Sequence, residues 1–389
     1  MYFNAAEAEN RIAKVKEILK ENGLDAAFVY FDELNVANGW YLTGWCPQFE
    51  KGAVLVPVNG APILLGGPES QPFALMSSAI KNTYCFPVFM VPEEEYPNAT
   101  IIDFKQLNEE LKASGTVIKK LGLVGTEALP YQVYDQLVKG FAGVEIVDFT
   151  KEYEALRIVK SAWELECMQQ AAHMSDLAYD AMRAKIIPGA YEYQIAAAGE
   201  AVCRDAGANS FAYGTMVGSG ERSNAVVPTA SDKQLEAGEM VLFGIAPRYK
   251  GYTATFGDTL PVSGEYTQMQ RDGMMWLRDV LQLTKSMLRP GVSGKEIDEK
   301  GRAYYEDKGI MKYLVCPFAH TIGLMEAEAP FFGPNSEDIL KPGMAVMVDV
   351  SFFGHPQLNG ARIETGYIIT ENGCVPFSKK MDDYFSKDL

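Results

Sequence analysis

Leu156-Arg157-Ile158-Val159-Lys160-Ser161-Ala162-Trp163-Glu164 marks the point where the sequence changes character. Upstream, strand and helix signals alternate. Ile12, Val15, Ile18 and Leu19 recur at helical spacing, and Gly23 stops that helix. The apolar run 26–31 then reads as a strand. Two apolar runs, 53–58 and 61–65, flank Asn59-Gly60, a pattern that predicts a hairpin with a type I′ turn. Helices near 69–80 and 130–141 and strands near 121–125 and 144–149 complete an α/β pattern to about residue 153. Downstream, 161–184 contains neither Gly nor Pro and predicts one long helix, which Pro188-Gly189 terminates. A second helix over 192–207 follows. Strand-like runs then dominate (240–246, 253–262, 345–353 and 361–370), with a helical pair near 268–288 and 294–308 between them. Grouped strands with helices to one side predict a curved antiparallel α+β domain over 154–389.

The chain has 389 residues, enough for two cores. Hydrophobic residues make up 48% and charged residues 22%, a globular composition. A formal net charge of −16 argues against sequence-independent nucleic-acid binding and against an anionic membrane surface, both of which need Lys/Arg patches. No apolar run approaches the length of a membrane span. The six cysteines form no Cys-x-x-Cys pair, so no zinc ribbon or redox motif is expected. Scattered thiols and a charged N-terminal helix make a cytoplasmic location the expectation.

Several stretches, in order and spread over nearly the whole chain, resemble the creatinase / aminopeptidase P family. They are Tyr41-Leu42-Thr43-Gly44-Trp45, Leu156 to Ser161 with Glu164, and Gly218-Ser219-Gly220 through Leu235-Glu236-Ala237-Gly238-Glu239. Gly251-Tyr252 with Asp258-Thr259, Ala319-His320-Thr321-Ile322-Gly323-Leu324, Lys341-Pro342-Gly343-Met344 and Arg362-Ile363-Glu364 continue the series. The resemblance implies an N-terminal creatinase-like domain (1–153), a C-terminal "pita-bread" domain (154–389) and a homodimer.

Metal-dependent members of that family hold two cations on Asp, Asp, His, Glu and Glu. By resemblance His320 and Glu364 fall on the His and the last Glu, and Asp349 on the other Glu. Gly244 and Thr255 occupy the two Asp positions, and neither supplies a charged oxygen. Two bridged cations need those carboxylates for neutralisation and spacing, so a dinuclear site is not expected. The remaining triad could hold one ion. The expectation, however, is that the three hydrogen-bond one another or a substrate, with no metal and no cofactor. The family's two proton-handling histidines are also missing. The loop 226–231 has none, and Ala327 stands at the second position.

The leading expectation is therefore a metal-independent, creatinase-like hydrolase of a C–N bond in a small nitrogenous compound. His320, Asp349 and Glu364 would handle protons, because a carboxylate pair can split its protonation and an imidazole can shuttle. Arg362, Asp258, Glu328, Glu50, Phe49 and Tyr213 are the expected substrate-binding residues. Glu50, where creatinase has an arginine, suggests a substrate group that is cationic or neutral. Two alternatives remain: an inactive binder of the same fold, and a divergent Xaa-Pro-type metallopeptidase with a mononuclear site.

Overall fold

The computed structural model describes residues 4–92 and 95–389. It divides into two compact units, one ending at Arg157 and the other running Ile158–Leu389. Sequence reading sets the boundary at 153/154. Among the described residues no helix is long and apolar enough to cross a membrane.

The first unit is a six-stranded mixed sheet with helices on its faces. Its strands are β1 (Ala26–Phe31), β2 (Gly52–Pro57), β3 (Ile63–Gly66), β4 (Thr83–Cys85), β5 (Lys120–Val124) and β6 (Glu145–Asp148). The order is β4-β3-β2-β1-β5-β6. Strands β1 and β2 run antiparallel, while β1, β5 and β6 run parallel, as crossover helices require. Strands β2 and β3 do form a hairpin, but not through a two-residue turn. Their last pair is Leu55 with Ile63, which leaves 56–62 as the connection, with Gly60 at φ +132° and no positive φ at Asn59. Pro57 and Pro62 lie near its two ends and cannot donate ladder hydrogen bonds, so pairing stops before Asn59-Gly60.

In the second unit the strands are β7 (Ser210–Phe211), β8 (Met216–Ser219), β9 (Met240–Ile245), β10 (Pro247–Tyr249), β11 (Tyr252–Thr253) and β12 (Phe256–Pro261). They continue as β13 (Ala319–Thr321), β14 (Glu328–Phe331), β15 (Ala345–His355), β16 (Asn359–Thr370) and β17 (Gly373–Pro376). β10 pairs with β7 and β11 in a small sheet. The large antiparallel sheet runs β14-β13-β15-β16-β12-β9-β8, with β17 added beside β16. This is the curled α+β domain expected from sequence. The helices Ala162–Arg183, Glu192–Asp205, Gln268–Met287 and Gly294–Asp307 supply its other layer. Three of them start with capping boxes: Ser161 with Glu164, Thr267 with Gln270, and Ser293 with Glu296.

Side chains alternate across the sheet with a period of two. Phe243, Ile245, Phe256, Val346, Val348, Val350, Ala361 and Ile363 share one core with the helices. Each such fully buried aliphatic or aromatic side chain is worth roughly 1.5–3 kcal/mol. The intervening positions therefore face the other way. Gly244, Gly257, Met347, Asp349, Arg362 and Glu364 fall in that set.

Candidate functional site

Register places the site residues. Asp349 on β15 pairs with Glu364 on β16, Glu364 with Gly257 on β12, Gly257 with Gly244 on β9, and Gly244 with Met216 on β8. Directly paired residues project to one face, so this row crosses five strands on the side away from the helices. His320 on β13 pairs with Met347, two residues from Asp349. One ligand-type atom from each of His320, Asp349 and Glu364 lies within 4.8 Å of the others.

These three do not satisfy one another. Asp349 Oδ1 and Glu364 Oε1 are buried and accept no hydrogen bond. Arg362 Nε lies 2.9 Å from Asp349 Oδ1, but its N–H is not aimed at the oxygen, so the contact is Coulombic. His320 Nε2 is 4.0 Å from Glu364 Oε1. Its Nδ1 stands 3.0 Å from the Thr321 carbonyl, which can only accept, so Nδ1 carries the proton. In the neutral imidazole the Nε2 lone pair then faces the carboxylates, the tautomer that metal-ligating histidines use. One nitrogen lone pair and two carboxylate oxygens free of hydrogen bonds, one of them ion-paired with Arg362, fit one divalent cation in this buried site. The expectation that this triad closes on itself by hydrogen bonds is corrected by those unpaired atoms.

The positions of the two missing carboxylates are filled. A Cβ at Gly244 would meet the Phe256 carbonyl at 2.7 Å, Met216 Cε at 3.0 Å and the Tyr213 hydroxyl at 3.4 Å. Tyr213 also stands 2.8 Å from the Thr255 hydroxyl, which donates to the Ile245 carbonyl. Neither position therefore brings a charged oxygen toward a second cation. Burial, followed by the Asp349 and Glu326 charges, pushes Glu364 well above the usual carboxylate range. Burial opposes the Arg362 charge, yet Asp349 and Glu364 outweigh it and hold the guanidinium ionised. Arg362 Nη1 donates to the Val226 carbonyl at 3.1 Å, fastening down the loop that lacks the family histidine. Burial, and then Glu364 and Glu326, raise the Tyr213 phenol, which stays neutral beside them.

Three expected substrate contacts prove structural. Asp258 pairs across the sheet with Phe243 and projects with Phe256 into the helix-covered core, where it is fully buried. It accepts from Tyr179 Oη at 3.0 Å and from the Thr259 amide at 2.8 Å. Its apolar neighbours Phe256 and Leu260, two residues away on either side, carried that signal. Glu328 Oε1 accepts from the Leu324 and Met325 amides at 3.0 and 3.1 Å, and its Oε2 pairs with Lys160 at 3.3 Å. Its carboxylate is occupied in holding this turn. Glu50 is buried in the first unit and accepts from the Glu69 and Ser70 amides, fixing the lead-in to the helix Gln71–Ser77. Phe49 is exposed on that unit with φ +64°. Tyr213 and Arg362 do stand at the triad.

Sequence reasoning missed Glu326. Its Oε1 is 3.6 Å from His320 Nε2, and its carboxyl lies within hydrogen-bonding reach of Glu364. The resemblance directed attention to the lost histidine at Ala327 and to Glu328, the residues just beyond it.

Residues 166–371 match the metallopeptidase family M24, and residues 11–159 match the creatinase/prolidase N-terminal domain. The chain belongs to metallopeptidase family M24. It is 26% identical over 377 residues to the Xaa-Pro dipeptidase of Pyrococcus furiosus, covering 95% of this chain and 98% of that protein. An uncharacterized peptidase of Bacillus subtilis is 31% identical over 256 residues, 66% of this chain and 72% of that one. The solved prolidase of P. furiosus superposes with a TM-score of 0.78 at 26% identity, covering 94% of this chain and 99% of that one. The prolidase of Pyrococcus horikoshii, at 24% identity and a TM-score of 0.81 over 95% and 98% of the two chains, shares the fold. M24 membership and Xaa-Pro dipeptidase relatives, together with two buried carboxylate oxygens that accept no hydrogen bond, overturn the expectation of a metal-independent creatinase-like hydrolase. The mononuclear alternative fits the same residues.

Proposed function

We propose that this M24 member is a hydrolase of short peptides, of the Xaa-Pro class, dependent on a single divalent cation. The observation that carries this reading is the buried, hydrogen-bond-free pair Asp349 Oδ1 and Glu364 Oε1 facing the Nε2 lone pair of His320. The relatives named as Xaa-Pro dipeptidases support peptides as the substrate class. A homodimer in the cytoplasm remains the accompanying expectation.

His320, Asp349 and Glu364 would hold the ion. When bound, it would supply Lewis-acid polarisation of the scissile carbonyl. The chain's own groups do the remaining work. Arg362 keeps a fixed positive charge beside the carboxylates and against negative charge developing on the carbonyl oxygen. Tyr213, a neutral phenol whose proton goes to the Thr255 hydroxyl, borders the same place without adding charge. The Glu364 oxygen not committed to the ion would take a proton from the attacking water and return it to the leaving nitrogen as the C–N bond breaks. Without the family's two imidazoles, turnover should fall short by the roughly 10²–10⁴-fold that a positioned acid or base contributes.

The test is hydrolysis of Xaa-Pro dipeptides by protein loaded with Mn²⁺, Co²⁺ or Zn²⁺, alongside EDTA-treated protein and His320→Ala. Slow turnover lost with EDTA and in the variant is expected. No cleavage of any Xaa-Pro peptide by fully loaded protein would overturn the proposal.

A further inference from the structure

Three ligands from two units of carboxylate charge leave the proposed ion short of both donors and neutralisation. Asp349 and Glu364 contribute two negative charges, of which Arg362 cancels one. A divalent cation would then leave a net positive charge in a buried site, which is costly. One further carboxylate would bring the sum to neutrality. Gly244 and Thr255 cannot supply it.

Glu326 borders the cluster of His320, Asp349 and Glu364, whose atoms all lie within 4.8 Å of one another, and reaches two of its three members. Two ligand atoms that share an ion at about 2.1 Å are separated by roughly 3.0–4.2 Å, depending on the angle between them. Glu326 Oε1 is 3.6 Å from His320 Nε2, closer than the 4.0 Å between His320 Nε2 and Glu364 Oε1. Its carboxyl also lies within reach of Glu364. Two carboxylates held that close repel unless a cation or a proton sits between them.

The placement is built. Glu326 rides on a turn between β13 and β14 whose Leu324 and Met325 amides both donate to Glu328 Oε1. The Gly323 amide donates to the Met325 carbonyl at 3.0 Å. Glu328 is itself pinned by Lys160, with side chains only 3% and 1% exposed. A Cβ at Gly323 would meet Glu328 Oε2 at 2.8 Å and Lys160 Nζ at 3.1 Å, so this ion pair packs directly over the backbone of the turn. Glu328 thus acts by fixing the turn that delivers Glu326.

We propose that Glu326 is a fourth ligand of the divalent cation held by His320, Asp349 and Glu364, replacing carboxylate that Gly244 and Thr255 no longer provide. The proposal rests on the single-ion reading of the site, and its test separates the two. Metal-free wild-type protein, Glu326→Gln and the exposed control Glu371→Gln are each titrated with Co²⁺ and Mn²⁺ by calorimetry, and the Co²⁺ visible spectrum is recorded. Wild type should take up about one ion per chain, and Glu371→Gln should match it. Glu326→Gln should bind at least ~10-fold more weakly, the least that losing even an outer-shell partner costs, with altered Co²⁺ bands. Its metal-free Tm should not fall, which separates a lost ligand from misfolding. Unchanged affinity and spectrum in Glu326→Gln would overturn the Glu326 assignment and leave the single-ion reading standing. No binding by wild type would overturn both.

Discussion

Restoring one lost carboxylate by Gly244→Asp should damage the protein rather than repair it. The new Cβ would sit 2.7 Å from the Phe256 carbonyl, a backbone atom that cannot swing aside, and 3.0 Å from Met216 Cε. Overpacking of this kind costs about 1–3 kcal/mol. Position 244 is two strands from Glu364 in the same row, or roughly 9.6 Å at the usual strand spacing. At an effective dielectric of about 20, repulsion adds up to about 1.7 kcal/mol, in full only at a pH where Glu364 is ionised. With Glu364 ionised the sum, about 3–5 kcal/mol, is a large part of an ordinary stability. At about 2–4 °C per kcal/mol, a domain of this size should lose roughly 10 °C in Tm. Added Mn²⁺ should not recruit a second ion, because Thr255 still offers no carboxylate. Thermal unfolding by circular dichroism, with and without Mn²⁺, reads both effects. A Tm within 2 °C of wild type, or two ions per chain, would refute the claim that Met216, Tyr213 and the β12 backbone fill the second site.

Further outcomes follow from groups around the site. Burial, opposed by the Thr259 amide and the Arg278 charge, raises the Asp258 carboxyl to about 6. A carboxyl raised on folding contributes stability below its unfolded pKa that is lost as pH climbs through its folded pKa. That loss, between about pH 4 and 6, is on the order of 3 kcal/mol, and urea titrations of Asp258→Asn should show it largely gone. Glu328→Ala removes a buried carboxylate that pairs with Lys160 and accepts from two amides of the turn, and should cost up to about 3–5 kcal/mol in chemical denaturation. It should also weaken Mn²⁺ binding, since the turn bearing Glu326 loses its anchor. Burial and the Asp349 charge push the Cys316 thiol up to about 11, so it should resist alkylation by iodoacetamide at pH 7.5 in native protein. Rapid labelling there would contradict its protonated state.

The architecture was legible because each half carries its own periodicity. The Gly- and Pro-free stretch 161–184 marked the first of the helices that cover the sheet, and the apolar runs marked β9, β12, β15 and β16. The turn after β2 was misread because Asn59-Gly60 is a strong local signal, while the two flanking prolines act through the ladder they cannot extend. His320, Asp349 and Glu364 were found by resemblance, and register brought them together. Their hydrogen-bonding state was not legible, since it depends on which atoms face one another across three strands. Asp258 was misassigned by matching it to a motif position rather than by counting which face of β12 it shares with Phe256. Glu50 and Glu328 were misassigned for a related reason: a carboxylate near a motif can be taken up by backbone amides that no sequence pattern displays. Glu326 escaped notice because its approach to His320 is a property of a turn, and the turn's geometry is set by Glu328 and Lys160, far apart in sequence.

The most direct measurement is the metal content of the full-length protein, loaded with Mn²⁺, Co²⁺ or Zn²⁺, desalted and analysed beside His320→Ala and Glu364→Gln. About one ion per wild-type chain is expected, with none retained by either variant. Metal-free wild type, or two ions per chain, would contradict the single-ion reading.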